Sequence, residues 1–193
     1  MWVGLGNPGP AYAGHRHNVG VMAVDRIAQV HGFDPWRARF AGATADGRIG
    51  PSKLLLLKPA TFMNESGQAV RRAVDFFKLT PDDVTVFYDE LDLGPGRVKV
   101  KTGGGAAGHN GIRSVAAHIG PEFARVRLGI GHPGHKDRVT GHVLGDFAKT
   151  DRVWLDEMLD AVALEAQWLI SDDAPRFMSE VARRTGLGPR AVG

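Results

Sequence analysis

The sequence predicts an α/β fold: a single domain built on a mixed, twisted β-sheet with helices on its faces. Short apolar runs alternate along the chain with segments whose apolar residues recur at helical spacing. This alternation is typical of a sheet flanked by helices. No low-complexity linker divides the 193 residues, and domains commonly span ~100–200 residues. We therefore expect residues 1–193 to form one domain.

The first half of the chain contains three predicted strands and two predicted helices. An apolar run at Met1–Gly6 ends in a loop rich in glycine and proline, and it predicts the first strand. Apolar residues recur on one side of Val19–His31, which predicts a helix. Two further apolar runs predict strands at Arg39–Thr44 and Lys53–Lys58, and a second helical pattern follows at Glu65–Phe77.

The second half begins with another apolar run, Val84–Asp89, which predicts a strand closed by an acid. Arg97–Lys101 and Arg125–Ile130 alternate cations with apolar residues, which is the period of a strand that buries only one face. Between these two strands a helix is predicted to begin near Asn110 and to stop at Gly120.

Two helices are predicted at the C-terminal end. The first spans roughly Asp151–Ile170, behind Thr150 as a potential N-cap. The second runs from Pro175, a favoured first helical position, to Gly186, a favoured residue after a helix end. The tail after Gly186 shows no such pattern, and we expect it to be disordered.

Composition limits the classes of protein that remain possible. The net charge of +3 is too small to indicate a nucleic-acid partner by itself. The chain has no cysteine, which excludes a disulfide framework, a thiol nucleophile and a cysteine metal site. It shows no signal-peptide pattern and no apolar run near the ~20 residues of a membrane helix. We therefore expect a cytoplasmic protein that does not cross a membrane.

Polar clusters interrupt the apolar pattern at widely separated places, and loops on a rigid scaffold are where chemistry is usually placed. The clusters are Asn7-Pro8-Gly9 with His17-Asn18, Thr61-Phe62-Met63-Asn64, Asp89-Glu90-Leu91-Asp92, and Gly108-His109-Asn110-Gly111. Asparagine amides can pair with ester and peptide groups without adding charge. The clusters together predict a hydrolytic site.

A histidine that activates water is the simplest machinery for such a site. His17 precedes a predicted helix, and Asp89 ends a predicted strand, where α/β sheets collect functional groups. An acid there could hold the imidazole in the tautomer whose free nitrogen faces water. Taken singly, His17 is better explained as a helix-start histidine bonded to a neighbouring backbone group, and the alternative for Asp89 is a turn residue.

Other chemistries have weaker signals. His15 and His17 have the spacing of some metal ligands, and Asp89 or His109 could complete a set, but no H-E-x-x-H motif supports a metal site. No G-x-S-x-G elbow supports a serine nucleophile, and Ser66 lies at a predicted helix start.

A dinucleotide fingerprint, G-x-G-x-x-G, is present at Gly4–Gly9. Pro8 and Pro10 bias the residues before them towards extended conformations, so a helix cannot open where a pyrophosphate needs it. The expected acid ~20 residues on is also missing, because Asp25 falls within a helical pattern. We interpret the match as accidental.

The cations of the two alternating strands are predicted to lie on one face. They are Lys99, Lys101, Arg125 and Arg127. This alternation of cations and apolar residues has two interpretations. The strands are half-exposed and their charges are simply solvated, or, if the strands lie near the site, the cations form a track that binds phosphates.

The motifs in this order closely resemble bacterial peptidyl-tRNA hydrolase, from the first residues to about Pro133. They are Val3-Gly4-Leu5-Gly6-Asn7-Pro8-Gly9, Tyr12, Arg16-His17-Asn18-Val19-Gly20, Lys58-Pro59 with Thr61-Phe62-Met63-Asn64, Asp89-Glu90-Leu91-Asp92, and Gly108-His109-Asn110-Gly111. The chain departs from the family pattern at His15, usually threonine, and at Ala106 and Ala107, where glycine is more common.

The resemblance implies a monomeric enzyme without a cofactor or obligate protein partner. Its substrate would be peptidyl-tRNA, held by the acceptor end and cleaved at the ester to the peptide. The implied general base is His17, with Asp89 as its orienting partner. The implied substrate contacts are Asn7, Tyr12, Met63, Asn64, His109 and Asn110, and the implied phosphate contacts are Lys99, Lys101, Arg125 and Arg127. An RNA-binding module without catalysis and a nicotinamide-dependent oxidoreductase remain as alternatives.

Overall fold

The computed structural model describes residues 1–187. Its strands are β1 (Trp2–Gly4), β2 (Arg37–Arg39), β3 (Gly42–Ile49), β4 (Ser52–Pro59), β5 (Thr85–Glu90), β6 (Val98–Thr102) and β7 (Ala124–Gly129). Its helices are α1 (Val19–His31), α2 (Ser66–Phe77), α3 (Asn110–Ile119), α4 (Val139–Val143), α5 (Arg152–Leu164), α6 (Gln167–Ile170) and α7 (Ala174–Arg184). None of the helices in this range is long and apolar enough to span a membrane.

All seven strands form one sheet in the order β2-β3-β4-β1-β5-β7-β6. The four central strands β4, β1, β5 and β7 are parallel to one another. The outer strands β2, β3 and β6 pair antiparallel with their neighbours. The predicted mixed sheet in a single α/β domain is therefore confirmed.

Helices cover both faces of the sheet, and each face has its own apolar core. Residues of α1, α5 and α7 pack on one face. Residues of α2 and α3 pack on the other, together with the apolar side chains of β1 and β5 that point to that side. Successive side chains of a central strand point alternately into the two cores, which explains why these strands are apolar on both sides.

One predicted strand and one predicted helix differ from the structure, and one helix was not predicted. The expected strand Arg39–Thr44 contains the turn between β2 and β3, where Phe40 and Ala41 both have positive φ angles, 56° and 54°. A turn made without glycine gives little signal in the sequence.

The expected helix at 151–170 is divided into α5 and α6. It contains no glycine or proline, but it breaks at Glu165, which accepts hydrogen bonds from Trp168 and Arg184. Helix α4 was not predicted. The last helix agrees with expectation, since Pro175 lies in its first turn and Gly186, just after the C-cap Thr185, has a φ of 65°. Its N-cap is Asp173, which was not predicted and which accepts from the backbone N–H of Arg176. Of the expected disordered tail, residues 188–193 lie outside the described range.

Helix α1 approaches the sheet very closely at Gly20. A Cβ atom there would lie 2.2 Å from the carbonyl oxygen of Phe87 and 2.8 Å from the backbone nitrogen of Leu5. The contact fixes the start of α1 against β5 and the end of β1. The segment just before α1, which carries His17, is thereby held near the same strands.

We expect Gly20→Ala to destabilise the fold by about 1–3 kcal/mol, because backbone atoms cannot yield to the added methyl. Helix propensity alone would instead favour alanine by ~1 kcal/mol. Gly141→Ala is the matched control, since a Cβ in that helix meets nothing within 4 Å. Urea unfolding of both variants checks this. If Gly20→Ala and Gly141→Ala had the same free energy of unfolding, α1 could move away from the sheet at no cost.

Candidate active site

The parallel strands bring distant parts of the chain to one edge of the sheet. Asn7 follows β1, Met63 and Asn64 follow β4, and Asp89 is the second-last residue of β5. Because β1, β4 and β5 are parallel neighbours, their carboxyl ends meet at the same edge. Asn7, Met63, Asn64 and Asp89 all line a single cavity there.

Asn7 is held by hydrogen bonds to its backbone and to its side chain. The side chain of Asn18 accepts from the backbone N–H of Asn7 and donates to its carbonyl oxygen, both at 2.9 Å. The Asn7 Oδ1 atom accepts from the backbone N–H of Met63 at 2.8 Å. Since that contact needs an acceptor, the other end of the amide, Nδ2, is left as a donor.

Asp89 is the centre of the polar cluster. One of its oxygens, Oδ1, lies 2.8 Å from Nδ1 of His17 and 2.9 Å from Nε2 of His109. Asp89 is buried, with 3% of its surface exposed. Two imidazoles from separate parts of the chain therefore meet on one buried oxygen.

The hydrogen bonds determine the tautomers of both rings. His109 caps α3, because its Nδ1 accepts from the backbone N–H of Ile112 at 3.2 Å. The proton of a neutral His109 is then on Nε2, which donates to Asp89. His17 donates through Nδ1 in the same way, so its Nε2 carries a lone pair. That nitrogen has no hydrogen-bond partner within residues 1–187, and His17 lines the cavity.

Asp89 remains ionised in this environment. Burial by itself raises the pKa of its carboxyl group, but hydrogen bonds and attraction from His109 and His17 outweigh burial and hold the pKa well below its usual value. A carboxylate in contact with His17 stabilises the imidazolium that forms when the ring takes up a proton.

The cavity measures about 770 Å³, within the range of small-molecule sites. Its polar lining includes the asparagines, the histidines and the acids. Its apolar lining includes Phe62, Leu91, Val139, Val143 and Leu144. Helix α4 thus contributes apolar residues to the same cavity.

The remaining predicted substrate residues lie in or next to the cavity. Asn110 lines it, and its Oδ1 accepts from Arg113 at 3.0 Å, which leaves Nδ2 as a donor. The cap of α3 is His109 and not Asn110. Tyr12 stands outside the lining, with its ring centroid 6.2 Å from that of Phe62, which does line the cavity.

His15 does not join His17 in a group of potential metal ligands among residues 1–187. His15 points to Asp146 at 3.8 Å and is not part of the cavity lining. Ligand atoms of His17, Asp89 and His109 do lie within 4.8 Å of one another, close enough to hold an ion. Each of the three is already hydrogen-bonded to another member of the group.

The predicted arrangement of cations on β6 and β7 is confirmed. Lys99 pairs directly with Arg127 across the two strands, and Lys101 pairs with Arg125. Directly opposed residues share a face, so all four cations are on one side. Lys99 is exposed and Lys101 partly exposed, whereas Arg127 donates to Glu90 at 2.8 Å.

Arg125, also predicted as a phosphate contact, has surroundings that differ from those of the other three cations. The residue is fully buried, at 0% exposure. Its guanidinium donates to the carbonyl oxygens of Gly105, Gly104 and Pro121 at 2.7, 2.6 and 3.1 Å. The alternating pattern places the side chain on the correct face, but the loop at 103–108 covers it.

Two residues that support the site were not identified from the sequence. Asn18 was noted only as part of a motif, and its role depends on a partner eleven residues away. Glu90 is 6% exposed and accepts from both Arg127 and the backbone N–H of Asp92. The only signal for either residue was its place in a polar cluster.

Comparison with known proteins agrees with this architecture. The family model described as peptidyl-tRNA hydrolase matches residues 1–187. A peptidyl-tRNA hydrolase of Rhizorhabdus wittichii is 67% identical over 184 residues, which cover 95% of this chain and 97% of that protein. One from Erythrobacter litoralis is 64% identical over the same shares. The crystal structure of peptidyl-tRNA hydrolase from Acinetobacter baumannii superposes with a TM-score of 0.88 at 41% identity, covering 93% of this chain and 92% of that one. The chain belongs to the peptidyl-tRNA hydrolase family.

Proposed function

We propose that this protein hydrolyses the ester that joins a peptide to the 3′ end of its tRNA. The observation that carries the proposal is the His17–Asp89 pair, in which an ionised, buried carboxylate holds Nδ1 and leaves Nε2 towards the cavity. This is the arrangement that a general base needs. Release of free tRNA for reuse follows from the reaction.

In the proposed reaction, Nε2 of His17 takes a proton from water as the oxygen attacks the ester carbonyl carbon. Asp89 stabilises the imidazolium that forms. The tetrahedral intermediate then collapses, the bond to the 3′ oxygen breaks, and the imidazolium returns its proton to that oxygen. The products are a peptide with a free carboxylate and a tRNA with a free hydroxyl group.

The asparagines are proposed to position the substrate. Asn7 and Asn110 both present Nδ2 as a donor, because their oxygens are occupied by Met63 and Arg113. Donors suit the carbonyl oxygens of an ester and its neighbouring amide, and they suit the oxyanion of the intermediate. Asn64 lines the same cavity and completes the set. Met63, His109 and Tyr12 are proposed to shape the site around the acceptor end.

The tRNA phosphates are proposed to lie along β6 and β7. Lys99, Lys101 and Arg127 are on one face, and β7 is the direct neighbour of β5, which carries Asp89. Arg127 is bonded to Glu90, a residue that lines the cavity. The row of cations therefore leads up to the site.

The protein is further proposed to act as a monomer in the cytoplasm. All the groups required by the reaction come from one chain, so no partner has to complete the cavity.

The reaction is tested by comparing N-acetyl-aminoacyl-tRNA with free aminoacyl-tRNA. We expect the acylated substrate to be cleaved at least tenfold faster, because the donors can pair with its neutral amide. The charged ammonium of the free form must lose hydration, and burying an unpaired charge is costly. Two other acids of the cavity lining do not offer this ammonium a free buried carboxylate. Glu90 is already bonded to Arg127, and Asp92 is exposed. Tight tRNA binding without hydrolysis would instead favour an RNA-binding module.

The roles of His17 and Asp89 are tested together by a double-mutant cycle. His17→Ala and Asp89→Asn should each lower kcat by about 10²–10⁴-fold, the range of a general base. The double variant should be hardly slower than His17→Ala alone, because Asp89 acts through the imidazole. If the fold-loss in kcat of the double variant equals the product of the two single losses, Asp89 acts independently of His17. Circular dichroism of each variant controls for folding.

The phosphate track is tested by Lys101→Ala. The dependence of log K on log salt for tRNA binding should fall by roughly one per lost phosphate contact, with kcat retained. Lys53→Ala is the matched control, because Lys53 lies at the opposite, amino end of β4. If both variants keep the original slope, β6 carries solvated charges only.

A further inference from the structure

Arg125 has the lowest solvent exposure of the charged residues in the described region, 0%, and the proposed reaction does not use it. Its two terminal nitrogens make three hydrogen bonds, all to backbone carbonyl oxygens. The guanidinium also lies over the ring of Phe123, at 4.6 Å from the centroid. Within residues 1–187 no carboxylate lies within ion-pair distance of it.

Burial of a guanidinium without a carboxylate is expensive, and hydrogen bonds to carbonyl oxygens must offset the cost. Two of the three acceptors are consecutive residues, Gly104 and Gly105. The planar fork of arginine is suited to neighbouring acceptors, which a lysine ammonium could not engage in the same way. The interaction therefore fixes the backbone of this loop specifically.

The loop at 103–108 needs such fixing because its backbone is unusual. Gly103, Gly104, Ala107 and Gly108 all have positive φ angles, between 46° and 88°. Ala107 carries a Cβ atom in that conformation, which costs about 1–2 kcal/mol. Strain of this kind persists where the surroundings over-determine the conformation.

The loop connects directly to the catalytic cluster. Ala106, Ala107 and Gly108 line the cavity. The carbonyl oxygen of Ala106 accepts from the backbone N–H of His109 at 2.8 Å, and His109 donates to Asp89. A continuous path thus runs from Arg125 through the loop to the carboxylate that orients His17.

We propose that Arg125 is a positioning residue, which clamps the rim of the cavity at Gly104 and Gly105 and thereby sets the place of His109. Its effect on rate rests on the proposed function, but the clamp itself does not. The rim is accordingly a fixed wall of the free protein and not a mobile lid.

The first measurement uses the unaltered protein. Backbone ¹⁵N order parameters of residues 104–107 should be near ~0.85, the value of rigid backbone. In Arg125→Met, which keeps much of the apolar stem, they should fall below ~0.6 for these residues alone. Values below ~0.6 in the unaltered protein would overturn the proposal without any variant, so a failure of Arg125→Met to fold leaves it testable.

The second measurement separates a clamp from a phosphate contact. Arg125→Met should lower kcat by about 10–100-fold, as a misplacement near 1 Å can do, while the salt slope of tRNA binding stays unchanged. Arg125→Lys should recover only part of kcat, because one ammonium replaces a fork. Arg72→Met, an exposed arginine on α2, controls for loss of a positive charge.

Two further results would overturn the proposal. A salt slope reduced by roughly one in Arg125→Met, with unchanged order parameters, would make Arg125 a phosphate contact. Unchanged kcat with a loosened loop would show that the clamp does not position the site. If the protein proved inactive on peptidyl-tRNA, the order parameters would still decide whether the clamp exists.

Discussion

The hydrogen bonds of the Asp89 carboxylate are the interaction on which the site depends. A single buried oxygen accepts from His17 and from His109, so one charge orients two rings. Burial would ordinarily favour the neutral acid, and the two donors reverse that preference. Removal of either imidazole would leave the buried charge with only one of its two imidazole partners, which is why the three groups form one unit.

The sheet makes this unit possible. Parallel strands place their carboxyl ends at one edge, and Asp89 is at that end of β5. His17 arrives there because α1 is packed against the sheet at Gly20 with no room for a side chain. His109 arrives at the start of α3, where its Nδ1 caps the helix. Each group is therefore fixed by an element that also carries part of an apolar core.

Buried and exposed cations have different tasks in the molecule, although they occupy equivalent places on their strands. Lys101 and Arg125 are directly opposed, yet only Lys101 retains access to solvent. An exposed charge attracts phosphates at little cost, whereas a buried one must be compensated inside the protein. Arg125 meets part of that requirement through its two terminal nitrogens, which donate to backbone carbonyl oxygens, while its Nε has no partner among the described residues. The loop thereby gains a defined conformation.

The sequence by itself determined the fold class, the central strands and most helices, because periodicity reports which face of an element is buried. It also indicated the family and the residues of the polar clusters. It could not reveal the turn at Phe40, the break at Glu165 or the short helix α4, since these depend on contacts between distant residues and not on glycine or proline. The alternating pattern placed Arg125 on the correct face, but only the tertiary structure decided that a loop covers it. Strand periodicity describes one face of a sheet, and burial depends on what the rest of the chain packs against that face.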